Sequence, residues 1–104
     1  MAGRFVFISG QIPLDPDSGL LKGETIADQS RQALYNLKAI LAAANLSPDA
    51  LVKTTVYLRS MADFAAFNAV YEEEIAGARP ARSVVEVNAL PRGALVEIEA
   101  IACR

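Results

Sequence analysis

From Arg4 to Ser9 the run Arg-Phe-Val-Phe-Ile-Ser is aromatic and β-branched and closes at Gly10, which predicts a short strand because such side chains fit a pleated surface. Pro13, Asp15-Pro16 and Ser18-Gly19 then supply turn formers, so the strand leads into a turn-rich return. Beyond it the apolar period changes. Ile26, Ala33, Leu34, Leu37, Ile40, Leu41 and Ala44 follow at helical spacing and predict a helix of about five turns ending near Asn45. Thr25, with Asp28 three residues on, resembles a capping box and sets its start.

Ser47-Pro48 breaks the pattern, and from Leu51 to Arg59 the set Val52, Thr54, Val56, Leu58 alternates with Lys53, Thr55, Tyr57, Arg59, as in a strand with one buried face. Ser60 and Asp63 repeat the capping pattern ahead of Phe64, Phe67, Tyr71 and Ile75, the apolar stripe of a second helix stopped by Gly77 and Pro80. Two more strands follow, Arg82 to Asn88 and Leu95 to Cys103, joined through Leu90-Pro91-Arg92-Gly93. The order strand, helix, strand, helix, strand, strand predicts an α+β fold: one domain over residues 1–104, its mixed sheet covered on one face by two helices.

Side chains alternate between the faces of a sheet, so each strand's parity assigns its residues to a side. Val85 and Val87 in the third strand, and Val96, Ile98, Ala100 and Ala102 in the fourth, form uniformly apolar sets expected to meet the helices. Arg82, Val84 and Glu86, with Leu95, Glu97, Glu99, Ile101 and Cys103, then fall on the opposite face. Apolar residues alternating with charges there point to a surface covered by a neighbouring subunit, with room for a polar pocket.

Composition narrows the chemistry. Apolar residues make up 53% of the chain, a high fraction for a domain that buries only about 60 to 70% of its chain surface, which again points to subunit contact. No run approaches the ~18 apolar residues of a membrane span and the first residues do not form a signal-peptide core, so a soluble cytoplasmic protein is expected. The net charge is −2, and the ten basic residues are spread singly along the chain, which argues against a nucleic acid partner. Histidine is absent and Cys103 is the single cysteine, so a disulfide within the chain, a zinc site of the usual nitrogen and sulfur kind, and a His-activated nucleophile are all excluded.

What remains is arginine, lysine, carboxylates, hydroxyls, amides and backbone. Arg82 follows the rigid lead-in Pro80-Ala81, and a planar guanidinium suits a substrate carboxylate better than a lysine does. Glu97, on the next strand, is able to hold water or take its proton. Arg82 and Glu97 thus describe a site where water attacks a small carboxylic acid, or alternatively a pair of charges satisfied across the sheet or at the surface. Asn68 places an amide on the apolar stripe of the second helix, where it either finds a partner or reaches solvent. Ser9-Gly10 offers a hydroxyl and bare backbone at a strand end, the usual composition of a turn. Glu72-Glu73-Glu74 reads as a solvated helix face, Tyr35, Tyr57 and Tyr71 as core or interface aromatics, and Cys103 as an inert thiol.

Several segments together resemble the RidA-like (YjgF-type) family: Ile8-Ser9-Gly10-Gln11-Ile12-Pro13, Gln29 with Leu34-Tyr35-Asn36-Leu37, Val52-Lys53-Thr54-Thr55-Val56-Tyr57-Leu58, Phe67-Asn68-Ala69-Val70-Tyr71, Pro80-Ala81-Arg82-Ser83, and Leu90-Pro91 followed by Val96-Glu97-Ile98-Glu99-Ala100-Ile101-Ala102. The resemblance spans nearly the whole chain. It implies a chorismate-mutase-like fold and a homotrimer around a closed β-barrel, with sites in clefts between subunits. It also implies hydrolytic deamination, without a cofactor, of 2-aminoacrylate and 2-aminocrotonate to 2-oxoacids and ammonia, these enamines being products of pyridoxal-phosphate dehydratases. On it Arg82 binds the substrate carboxylate and Glu97 positions or activates the water, both on the face turned away from the helices. Ser9, Gly10, Asn68 and the backbone around Val84 line the pocket. The family's N-terminal Gly-Pro-Tyr segment, whose tyrosine borders the pocket, has no counterpart in this sequence, as expected of either a short natural variant with a more open pocket or a truncated chain, and Val84 stands where some deaminases carry cysteine. The competing expectations are a non-catalytic trimer that binds 2-oxoacids, a ribonuclease or translation-inhibitor role, and a purely structural trimer.

Overall fold

A computed structural model describes residues 3–104. Strands β1 (Phe5–Gln11), β2 (Leu51–Leu58), β3 (Ala81–Glu86) and β4 (Val96–Cys103) form one mixed sheet in the order β1-β4-β2-β3. β4 runs antiparallel to both its neighbours and β2 runs parallel to β3. Helices α1 (Ile26–Ala43) and α2 (Phe64–Glu74) pack together on one face.

Local chemistry accounts for these boundaries. Thr25 is extended, and its Oγ1 accepts the Asp28 N–H at 3.1 Å, capping α1. The far end closes at Asn45, whose φ of 61° is tolerated by an amide side chain, with the Leu46 N–H returning to the Leu41 carbonyl at 2.8 Å. Ser60 Oγ accepts the Ala62 N–H at 3.2 Å and opens a short 3₁₀ turn, Met61–Asp63, that runs into α2. Leu34, Leu37 and Leu41 of α1 and Phe67 of α2 are fully buried against Val56, Leu58, Val96 and Ile98 of the sheet. Each large apolar side chain so buried contributes about 1.5–3 kcal/mol.

The helix-facing assignment of β4 holds: Val96, Ile98, Ala100 and Ala102 are all buried. That of β3 does not. β3 pairs with β2 in a register that sets Arg82 beside Thr54 and Val84 beside Val56. Thr54 and Val56 are fully buried in the layer under the helices, so Arg82 and Val84 lie on the helix face, where Val84 packs against the core. Val85 is 42% exposed on the other side. The valines mislead because β3 is an edge strand with partly apolar residues on both faces, and its register with β2 decides the side. Val52 is likewise exposed, because a register irregularity between Leu51 and Lys53 puts Leu51 into the core instead.

The acidic run of α2 is only partly solvated. Glu74 Oε1 accepts from Lys38 Nζ at 2.6 Å and its other oxygen lies 3.9 Å from Arg31, so it joins the two helices. The face of the sheet away from the helices carries Phe5, Phe7, Thr55, Tyr57, Val85, Glu97, Glu99 and Ile101, with Phe5 46% and Phe7 58% exposed.

Candidate active site

Arg82 lies near the start of β3, on the open edge of the sheet, and its side chain turns toward α2. Its Nη1 donates to Asn68 Oδ1 at 2.7 Å. Its guanidinium carbon lies 4.7 Å from the centre of the Tyr71 ring and 5.7 Å from that of Phe64, distances at which a ring face attracts a cation. Phe64, Asn68 and Tyr71 are spaced by four and three residues and so share one side of α2. The amide on the apolar stripe therefore has a partner, and that partner is the arginine. Among the described residues no carboxylate lies within ion-pair distance of Arg82. A half-buried guanidinium whose direct contacts are an amide oxygen and two rings has donors left for an anion. Beside it opens a cavity of about 190 Å³ lined by Tyr71, Ile75, Arg79, Pro80 and Arg82, with Glu72 at its wall.

The Val87 N–H donates to the Leu58 carbonyl at 2.8 Å. Alternation along a parallel strand then leaves the Val84 N–H on the open edge. The backbone at Val84 and the Arg82 side chain thus belong to the same margin of the sheet.

Glu97 belongs elsewhere. It pairs across β4 and β2 with Tyr57, on the face away from the helices, and its side chain folds over Gly10 of β1. A Cβ on Gly10 would overlap the Glu97 carboxylate and fall 3.1 Å from its Cγ, so only a bare backbone lets the carboxylate lie there. The β1–β4 register slips between Ile8 and Gln11, and this bulge carries Ser9 and Gly10. Ser9 also borders a cavity of about 560 Å³ on that face, with Phe7, Lys53, Thr55, Glu99 and Ile101.

The six residues singled out from the sequence therefore fall into two groups. Arg82, Asn68 and Val84 sit at the β3 edge, and Glu97, Gly10 and Ser9 sit at the β1 side of the opposite face. Two strand spacings, about 10 Å, separate β3 from β4, and the three residues between Arg82 and the level of Glu97 add about 10 Å along the strand. One chain does not bring Arg82 and Glu97 together, and their assignment to a common face is corrected by the β2–β3 register.

Three features escape a reading of the sequence. Tyr71, read there only as a core or interface aromatic, lies under Arg82 while its hydroxyl shares a 2.8 Å hydrogen bond with the buried Thr54 Oγ1. Tyr57 donates to Glu99, and that hydrogen bond, followed by desolvation and the charges of Glu99 and Glu97, raises its pKa above the usual tyrosine value. Gln29, buried in α1, accepts the Leu95 N–H at 2.8 Å and donates to the Gly23 carbonyl at 3.1 Å. Of the remaining tyrosines, Tyr35 is exposed on the outer side of α1. Among the described residues no three His, Cys, Asp or Glu side chains gather to hold a metal ion, and no helix is long and apolar enough to cross a membrane.

Comparison with known proteins gives a consistent neighbourhood. The family described as endoribonuclease L-PSP matches residues 1–104. A RutC family protein of Pyrococcus horikoshii is 55% identical over 102 residues, covering 97% of this chain and 80% of that protein. A 2-iminobutanoate/2-iminopropanoate deaminase of Salmonella typhimurium is 49% identical over 105 residues, covering 98% and 81%. Among solved structures, that of TdcF from Escherichia coli with bound serine superposes with a TM-score of 0.92 at 43% identity, covering 100% of this chain and 84% of that one.

Proposed function

Because the chain belongs to the RidA-like family, the family described as endoribonuclease L-PSP, we propose that it hydrolyses short 2-imino acids and their enamine tautomers to 2-oxoacids and ammonia. The observation that carries this reading is the Arg82 guanidinium, oriented by an amide oxygen and ring faces and left without a carboxylate partner among the described residues. A 2-aminoacrylate or 2-aminocrotonate carboxylate fits its parallel donors. The Salmonella relative's name and the serine bound to TdcF support a small amino-acid-like ligand.

In this scheme the enamine first takes a proton from solvent at its terminal carbon and becomes the iminium. Glu97 accepts a proton from water as the water oxygen bonds to the iminium carbon, which gives a neutral carbinolamine. Glu97 passes that proton to the amino nitrogen, and as the carbon–nitrogen bond breaks the hydroxyl proton goes to solvent, releasing ammonia and leaving the carbonyl of the 2-oxoacid. Ser9, Gly10, Asn68 and the Val84 backbone line the pocket. No cofactor takes part.

Since Arg82 and Glu97 are separated within one chain, the site is completed by a second copy, and the exposed face bearing Phe5, Phe7 and Val85 is the surface that copies cover in a homotrimer. The enzyme acts in the cytoplasm on a small carboxylate substrate, with neither nucleic acid nor membrane as partner. Generating 2-aminoacrylate in situ with a dehydratase and following pyruvate release tests the reading. Acceleration by this protein, lost in Arg82→Ala, is the expected result. Binding of 2-oxobutanoate with no acceleration would instead make the protein a non-catalytic binder, and cleavage of RNA by the wild type but not by Arg82→Ala would replace the deaminase reading altogether.

A further inference from the structure

We infer that Thr54 and Tyr71 are positioning residues for Arg82, a role that rests on the carboxylate-binding reading of that arginine. Arg82 touches three side chains of α2, and Tyr71 is the most deeply buried of them, at 6% exposure. Its hydroxyl is held by Thr54 Oγ1 at 2.8 Å. Thr54 in turn is the β2 residue paired directly with Arg82. The three residues close a loop: strand pairing joins Arg82 to Thr54, the hydrogen bond joins Thr54 to Tyr71, and the Tyr71 ring lies 4.7 Å under the guanidinium.

Packing alone does not account for this pair. Thr54 is fully buried, paired with Ala100 and next to Val56 on the same face of β2, where valine has the same shape and no hydroxyl to desolvate. Phenylalanine would likewise fill the volume of Tyr71 beside Phe67, whose ring centre is 5.5 Å away. Two polar groups that satisfy one another in a core are matched in stability by an apolar pair of the same shape. What the hydroxyls add is a fixed tilt of one ring, and the group resting on that ring is the guanidinium. Arginine has many rotamers, so a ring locked in place favours the one that presents its free donors to a carboxylate.

The test separates capture from chemistry and from folding. Tyr71→Leu, which removes the ring, is expected to raise KM for 2-aminocrotonate about tenfold, with kcat within about twofold. The shape-preserving double variant Thr54→Val/Tyr71→Phe is expected to unfold at the same or higher urea concentration than wild type and still to raise KM about threefold. In an Arg82→Ala background neither change should add to the loss, because the group they position is gone. Wild-type KM in both variants, or an undiminished further loss in the Arg82→Ala background, overturns the inference while leaving the deaminase reading intact. If Tyr71→Leu does not fold, the double variant alone decides. Should the wild type show no turnover, the deaminase reading fails, and the Kd for 2-oxobutanoate in the same variants decides the positioning role. Absence of that binding in the wild type overturns both.

Discussion

Gly10 and Arg82 do opposite things with their side chains. Gly10 has to lack one, because the Glu97 carboxylate occupies the place a Cβ would take. Gly10→Ala should therefore swing Glu97 off the β1 bulge and lower kcat about a hundredfold, the range for loss of a general base, with KM little changed. Steady-state kinetics on 2-aminocrotonate checks this, and an unchanged kcat would mean that Glu97 does not act from this position. Arg82 has to present parallel donors, so Arg82→Ala should raise KM about ten- to hundredfold, in line with the ~1.5–3 kcal/mol of a hydrogen bond to a charged group. Arg82→Lys should recover little of this, since an ammonium lacks the fork. Tyr57 carries a prediction about pH. Its hydrogen bond to Glu99 holds its pKa above the value of an unfolded chain. The stability it contributes is full below the unfolded value of about 10 and is lost as the pH rises through the folded value. Tyr57→Phe should flatten the alkaline limb of the stability profile measured by denaturant unfolding between neutral pH and pH 11, and an identical limb in both proteins would deny the pair that role.

Helix α1 carries a clasp that supports the site from a distance. Gln29 reaches from its first turns to the backbone of Leu95, just ahead of β4, and to Gly23 in the preceding loop. Gln29→Leu would leave both backbone groups without that partner, and a loss of about 1–3 kcal/mol is expected, read as a lower urea midpoint at unchanged slope. The helices, β2 and β4 were legible in the sequence because each buries one side and exposes the other, so period alone identifies them: Leu34, Leu37 and Leu41 for α1, and Val96, Ile98 and Ala100 for β4. β3 was legible as a strand but not in its facing, because residues 82–87 carry apolar side chains on both sides and the face is set by pairing with Thr54 and Val56, two positions far away in the chain. The residue types that the proposed chemistry uses were legible in the sequence, and Asn68 stood out as an amide on an apolar stripe, where it meets Arg82. Thr54 and Tyr71 did not, because a threonine in a strand and an aromatic on a helix stripe are ordinary until the fold sets one against the other. The same holds for the distance between Arg82 and Glu97. Their strands are consecutive in sequence, and only the order β1-β4-β2-β3 reveals that β2 lies between them.

Under the proposed function, that separation makes assembly the condition for activity. The β3 edge offers a guanidinium and a free strand margin, the β1 side offers a carboxylate over a bulge, and the sheet face between them exposes Phe5, Phe7 and Val85. A cyclic assembly places one edge of each copy against the other edge of the next, so a trimer has three contacts and three composite sites. Light scattering on the purified protein should accordingly give the mass of three chains. The sharper test mixes subunits. Arg82→Ala chains keep Glu97 and Glu97→Ala chains keep Arg82, so each variant alone should be nearly inactive when assayed at substrate well below KM. Unfolded together in equal amounts and refolded, they assort at random, and a given contact has Arg82 on its first side in half the cases and Glu97 on its second side in half of those. About a quarter of the sites then carry both groups, and about a quarter of wild-type activity should return. Differently tagged chains, purified through both tags in succession, identify the mixed trimers. If such trimers form and remain as inactive as their parents, Arg82 and Glu97 do not meet across a subunit boundary, and the composite site is wrong.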